Sequence, residues 1–533
     1  MDEQIQRDKK QLLKSAGINS FWTACSRVAG LVRDQVQAYF MGTSHSADAF
    51  RVAFTLPNML RRLVAEGAMT ASFVPVFTDF LKKKDSKETW RFANNCLFSL
   101  GLLLILLTVI GIIFSGTLVQ LLAEGFEGES GKLELATKLA QVMFIYIFFI
   151  GLSALFGAIL NSLGYFGAPS FTPVLLNLAI IAAAAFLSKS FNDPVFAFAI
   201  GVVIGGFLQM AFLIPFVIKQ GMTFHGVLDL KQKELLTVAK RMLPGILAVG
   251  VQQINVLVST RIASNLEEGS ITSLYHANRL EEFTLGIFVV SISTVILPML
   301  SRHASENRMD KLKESLTFSL RITLLITIPA TVGLIMFREP IVRVLFMHGK
   351  FDERSLDLTS NALLFYMLGL VAISGTKILS PAFFSLKNVK TPVYVSSITV
   401  VVNLLGCILL KGPLKNGGIA FAATISAIVN LAILLYLFEK RYVALNKKLI
   451  GLTLFKTTIA SIVMGIPLFI INDKLGGLAG LRLLPQLGIL FSSIAFCIAI
   501  YIVALRLMKS HEMEELISML KSRKMRSNTP AKN

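Results

Sequence analysis

Three arginine-bearing stretches carry most of the chemical information in this sequence: FWTACSRVAGLVRDQVQAYFMG (21–42), ADAFRVAFTLPNMLRRLVAEGAMTASFVPVF (47–77) and SLYHANRLEEF (273–283). A guanidinium is always charged and offers planar forks of donors that match phosphate and carboxylate. The first two stretches are mostly apolar, and a charge at the centre of a lipid-facing helix costs about 2.5–3.5 kcal/mol on insertion scales. Helical spacing lets residues three or four apart meet, so Asp48 can reach Arg51, Arg62 can reach Glu66, and Arg279 can reach Glu282. Arg27 and Arg61 have no acid at that spacing, and Arg33 has Asp34 only as its chain neighbour. The set Arg27, Arg33, Arg61 and Arg279, with Arg62 as a paired neighbour, reads as a cationic cavity for an anionic substrate. A structural ion-pair network is the alternative. Pro57 removes a backbone donor just before these arginines and predicts a bend or break there.

The elements that must hold them are membrane spans. Of the 533 residues 54% are hydrophobic and only 16% charged, which excludes a soluble protein. The apolar residues form blocks of the length that crosses about 30 Å of hydrocarbon. Fourteen blocks stand out: 17–41, 46–81, 92–118, 135–159, 169–188, 194–218, 240–265, 270–301, 315–337, 357–383, 392–410, 417–437, 451–471 and 484–507. The reading is an all-α polytopic membrane protein with 14 transmembrane helices and both termini in the cytoplasm. The net charge of +20 then follows mostly from orientation, since roughly 31 of the 52 basic residues fall in inner segments. The outer 338–356 segment weakens the pattern with Arg338, Arg343, Lys350 and Arg354.

Eleven basic residues remain at membrane depth: Arg27, Arg33, Arg51, Arg61, Arg62, Lys138, Arg261, Arg279, Arg321, Lys377 and Lys456. Lys138, Arg321 and Lys456 lie near span ends and can snorkel to water. The tail after Lys509 reads as a basic amphipathic helix on the cytoplasmic surface. The four cysteines are scattered and read as buried apolar residues. No cleavable leader, phosphate-binding loop or zinc motif is evident, and nucleic acid is not implied. His276 reads as a core residue, and Asn177, Asn403 and Asn430 as helix-joining groups. No acidic cluster compels a metal, sodium or proton site, and no cofactor is expected.

Sliding the chain on itself by about 220 residues aligns Pro75 with Pro298, GIIFSGTLVQLLAEGF (111–126) with GLIMFREPIVRVLFMHGKF (333–351), and the TPV at 172–174 with that at 391–393. Two parallel repeats of six spans are expected, followed by two appended helices, with substrate held between the halves. At an offset of 223, Arg27 falls on Gly250, Arg33 on Val256 and Arg61 on Thr284. A charge required by the fold alone should appear in both copies.

SRVAGLVRD (26–34), residues 47–77, YHANRLEEF (275–283) and LKNVKTPV (386–393) resemble the MurJ/MviN family, the lipid II flippases of bacterial cell-wall synthesis. The resemblance implies two six-helix lobes around a central cavity, at 1–230 and 231–445. It further implies helices 13 and 14 at 446–508 as a groove for a lipid tail, with 509–533 as the cytoplasmic tail. The implied activity is non-enzymatic: flipping undecaprenyl-pyrophosphate-linked disaccharide-pentapeptide from the inner to the outer leaflet of the cytoplasmic membrane by alternating access. Partners would be that lipid, the surrounding membrane lipids and the cell-wall synthesis machinery. The family's functional positions fall on Arg27, Arg33, Arg61 and Arg279, with Asp48, Glu66, Ser273 and Glu282 in or near the cavity. Asn278 departs from relatives that carry an acid there, and Arg51 from relatives that are apolar. Membrane potential or a coupled monovalent cation could supply the energy. An exporter of polysaccharide lipids or drugs in the same superfamily, or a non-transporting scaffold, would be the other readings.

Overall fold

The computed structural model describes residues 2–64, 68–475, 483–510 and 512–513. These form helices with no strand among the described residues. The first is α1 (Asp2–Met41), followed by α2 (His45–Val64), α3 (Ala68–Lys83), α4 (Ser86–Ile113), α5 (Ser115–Leu122), α6 (Lys132–Ser162), α7 (Gly167–Leu187) and α8 (Val195–Lys219). Next come α9 (Lys233–Ala263), α10 (Ser270–Ser305), α11 (Met309–Met336), α12 (Arg338–Phe346), α13 (Glu353–Ser385), α14 (Lys390–Arg441), α15 (Lys447–Leu475) and α16 (Leu483–Leu507). Helices are the natural answer to hydrocarbon, because every backbone polar group finds its partner within the segment.

Nine helices among the described residues are long and apolar enough to cross a membrane: α4, α6, α7, α8, α11, α13, α14, α15 and α16. α1, α2 and α10, which bear the singled-out arginines, are not among the nine. The expected spans at 392–410 and 417–437 lie in one helical run, α14, interrupted at Lys415 (φ 50°, ψ −130°). That conformation is strained for a side chain larger than glycine, and Asn416 and two glycines follow it directly.

Packing divides the chain into two compact units, one of residues 1–272 with 348–352 and one of 273–347 with 353–533. In the first, α6 is the central helix and packs on α2, α4 and α8, with Tyr146, Phe144 and Leu155 fully buried. α9 packs on α2 and α3 in the same unit. The outer face of α4 is apolar and exposed at Leu102, Leu106, Val109 and Ile113, a surface suited to lipid rather than water. In the second unit α13 takes the central place against α11 and α14, and α15 packs on α11 and α16.

The repeat recurs in the helix boundaries. α6 ends at Ser162 and α13 at Ser385, 223 residues apart. α4 starts at Ser86 and α11 at Met309, again 223 apart. Each of those two helices is followed by a single non-helical phenylalanine and a short helix: Phe114 has φ −94° and ψ 10°, and Phe337 has φ −94° and ψ 13°.

Candidate functional site

On α1, Arg33 is buried and donates from Nε and Nη2 to Oδ1 of Asp34 at 3.2 and 2.7 Å. Adjacent helical residues do not usually face each other, so the two long side chains must turn toward one another, and burial of both favours the contact. Arg27, two turns earlier, is partly exposed and has neither hydrogen bond nor ion pair among the described residues.

Helix α2 continues through Pro57, so the expected break does not occur. The missing N–H leaves the carbonyl of Ala53 without its usual donor, a defect the rest of the helix tolerates. Arg51 is buried and donates from Nη2 to Gln37 Oε1 of α1 at 2.7 Å. Arg61 is partly exposed and donates from Nε to Asn58 Oδ1 at 3.0 Å. Arg62 is also partly exposed, and its expected partner Glu66 lies outside the described residues.

Asp48 does not pair with Arg51 as its spacing suggested. Its carboxylate accepts from Gly269 N (2.8 Å), Thr272 N (2.9 Å) and Thr272 Oγ1 (2.7 Å), and faces Lys132 Nζ at 3.4 Å. The first turn of α10 has backbone N–H groups with no intrahelical acceptor and the positive end of the helix dipole, and Asp48 supplies both a lone pair and a charge. Lys132 falls between the expected spans 92–118 and 135–159, yet it is 1% exposed. It also meets Glu129 at 2.9 Å and sits 4.5 Å from the centre of the Phe126 ring. Gly269 has φ +87°, and a Cβ there would lie 2.4 Å from the carbonyl oxygen of Thr43. Helical periodicity gives no sign of this cluster, since its members come from three distant stretches.

In the second unit α10 carries Ser273, Arg279 and Glu282. Arg279 Nη1 donates to Glu282 Oε2 at 3.0 Å, and its guanidinium lies 5.8 Å from the Tyr275 ring centre. This pair is substantially exposed, with side-chain exposures of 35% and 44%. Ser273 is fully buried and accepts from Asn416 Nδ2 at 3.1 Å, so the residue following the Lys415 interruption ties α14 to α10. Asn416 also donates to the Leu358 carbonyl of α13 at 2.8 Å. His276 is buried with its ring 4.7 Å from Phe346, in keeping with a core residue.

Arg321 does not snorkel. It is buried and donates to Glu512 Oε1 from Nη2 (2.6 Å) and Nε (3.1 Å), with Thr453 Oγ1 3.0 Å from Nε. Thr453 and Ser510 hydroxyls also donate to the Glu512 carboxylate. Burial pushes the Glu512 carboxyl up, but the hydrogen bonds from Ser510, Thr453 and Arg321 outweigh it and hold the group at about 2. Glu512 and Met513 are therefore packed into the unit, and the remainder of the expected cytoplasmic tail, 514–533, lies outside the described residues. Lys456 donates to the Lys509 carbonyl at 3.0 Å beside the same cluster. Among the described residues, no group of three or more His, Cys, Asp or Glu is placed to hold a metal ion.

Comparison with known proteins gives a consistent answer. The family model described as lipid II flippase MurJ matches residues 37–487. A probable lipid II flippase MurJ of Vibrio cholerae serotype O1 is 39% identical over 432 residues, covering 80% of this chain and 82% of the relative. A lipid II flippase MurJ of Burkholderia cenocepacia is 34% identical over 426 residues, covering 79% and 83%. Among solved structures, a lipid II flippase MurJ in an inward closed conformation superimposes with a TM-score of 0.77 at 28% identity, covering 94% of this chain and 99% of that one. An inward-facing MATE-family multidrug transporter of the MOP superfamily shares the fold at 16% identity, with a TM-score of 0.66 and coverage of 78% and 95%. The family match covers residues 37–487, and the chain belongs to the MurJ family of lipid II flippases.

Proposed function

We propose that this chain flips lipid II from the inner to the outer leaflet of a bacterial cytoplasmic membrane, with Arg27, Arg33, Arg61 and Arg279 binding the pyrophosphate and head group. Family membership carries the activity and the substrate. The observation that supports the assignment of residues is exposure: Arg27, Arg61 and Arg279, in segments expected at membrane depth, are only partly buried. Hydrated guanidinium forks can exchange water for phosphate oxygens, a transfer that a fully enclosed arginine cannot make without unpacking. Arg33, held by Asp34, contributes positive potential and a fixed orientation to this set. Asp48, Arg62, Glu66, Ser273 and Glu282 support it, Asp48 and Ser273 by fixing α10 and Glu282 by restraining Arg279.

In this reading the two repeats rock between inward-open and outward-open states with the lipid tail remaining in hydrocarbon, and α15 and α16 lie along the tail. Both termini face the cytoplasm, and the cell-wall synthesis machinery receives the product. A moving positive charge gives the membrane potential a handle worth about 2.3 kcal/mol per charge per 100 mV. Purified protein in liposomes, with lipid II initially on one leaflet, tests the assignment. Arg27→Ala and Arg279→Ala should abolish flipping while the folded protein persists, and normal flipping by both would overturn it.

A further inference from the structure

α10 carries a second carboxylate that the substrate site does not use. Glu281 is 3% exposed, whereas the neighbouring Arg279–Glu282 pair is substantially exposed. Its Oε2 accepts one hydrogen bond, from Asn278 Nδ2 at 3.2 Å, and its Oε1 is buried with no partner at all. No cation lies within ion-pair distance of it among the described residues. The titratable groups that act on it are Glu282 of its own helix and Lys377 and Tyr366 of α13, and the Lys377 side chain is exposed. An ionised carboxylate enclosed with a single neutral donor is far more costly than a neutral acid with one unsatisfied oxygen.

We infer that Glu281 is a proton-binding site, carrying a proton in this state and exchanging it with water when α10 becomes hydrated in the transport cycle. The step is one O–H bond made or broken, with water as donor and acceptor and no other reactant. Its link to transport is positional. Glu281 lies two residues from Arg279 on a continuous helix, so losing the proton places a negative charge within one turn of the arginine assigned to substrate, acting through the low-dielectric interior rather than by contact. A protonated Glu281 leaves the positive potential around Arg279 undiminished. A deprotonated Glu281 lowers that potential and weakens its pull on phosphate. The coupling ion of the flippase is on this reading a proton, and that last part rests on the function proposed above.

The proton itself is tested without transport. Infrared difference spectra of the purified full-length protein, taken at neutral and alkaline pH, should show the carbonyl absorption of a protonated carboxylic acid at neutral pH. That absorption should disappear in Glu281→Gln and shift in Glu281→Asp. An unchanged spectrum in both variants would overturn the site. Coupling is tested in liposomes clamped at zero membrane potential. Imposing a pH gradient should change the wild-type flipping rate several-fold and leave the Glu281→Gln rate unaltered. Equal gradient dependence in the two proteins would overturn the coupling even if the infrared signal is as expected. Wild-type protein that flips no lipid II at all would instead defeat the proposed function and leave the infrared result standing.

Discussion

Arg321 and Arg61 are the same residue in apolar helices of one chain, and they have opposite surroundings. Arg321 is enclosed by α11, α15 and the residues after α16, with Glu512 taking two of its donors. Arg61 is partly open, with Asn58 among its partners. A buried arginine with its carboxylate in place is an internal fastening whose net contribution to stability can be small. A partly open arginine is in reach of water and of an incoming anion. Arginine at membrane depth thus has two uses, and burial separates them.

The sharpest way to break the comparison is to remove one member of the enclosed pair. Arg321→Ala should lower stability by about 3–5 kcal/mol by leaving Glu512 buried and uncompensated, read as a fall in the thermal midpoint of detergent-solubilised protein. Flipping per folded molecule should persist. The double change Arg321→Met with Glu512→Leu should recover most of that loss, and failure to recover would mean the pair does more than fasten. Asp48→Ala should cost about 2–4 kcal/mol, because it strips the cap from α10 and leaves Lys132 buried without one of its carboxylates. Lys132→Met should partly restore the Asp48→Ala protein.

The partly open arginines should behave in the reverse manner. Arg27→Ala should lose at least tenfold in flipping, equivalent to about 1.4 kcal/mol, with the thermal midpoint nearly unchanged. A large stability loss with normal flipping per folded molecule would move Arg27 into the structural class. The smallest effect expected is on acid stability. Glu512 is held at about 2, below its ordinary 4.5, so its stabilisation is present above about pH 4.5 and is lost as pH falls toward 2. Thermal midpoints measured across that window should fall for the wild type more than for Glu512→Gln.

Much of this was legible in the residues. Hydrophobic blocks mark where the helices lie because hydrocarbon allows few alternatives, and the 223-residue offset appears in both the sequence and the helix ends. The arginines themselves were visible because charge in an apolar run is rare. Their partners were less so. Asp48 and Arg51 are three apart, but a helix N-terminus and a buried lysine from elsewhere made the better contact. Glu512 follows the last span and stands 191 residues from Arg321, beyond the reach of any periodicity argument. Lys132 was placed by topology in a loop, and topology does not say which loop residues fold back under a helix end. Glu281 differs from Glu282 by one position and about 100° of helical rotation, which alone decides between enclosure and water.

The Arg321–Glu512 pairing also bears on how the protein is made. Chains emerge N-terminus first, at about 5–20 residues per second. α11 must therefore enter the membrane with a bare guanidinium, and its carboxylate follows 191 residues later, roughly 10–40 s at that speed. During that interval Arg321 depends on water, lipid phosphate or the insertion machinery for company. The second unit is finished only when nearly the whole chain has been released, so a ribosome stalled shortly before Glu512 would leave a nascent protein with every span synthesised and one charge still waiting.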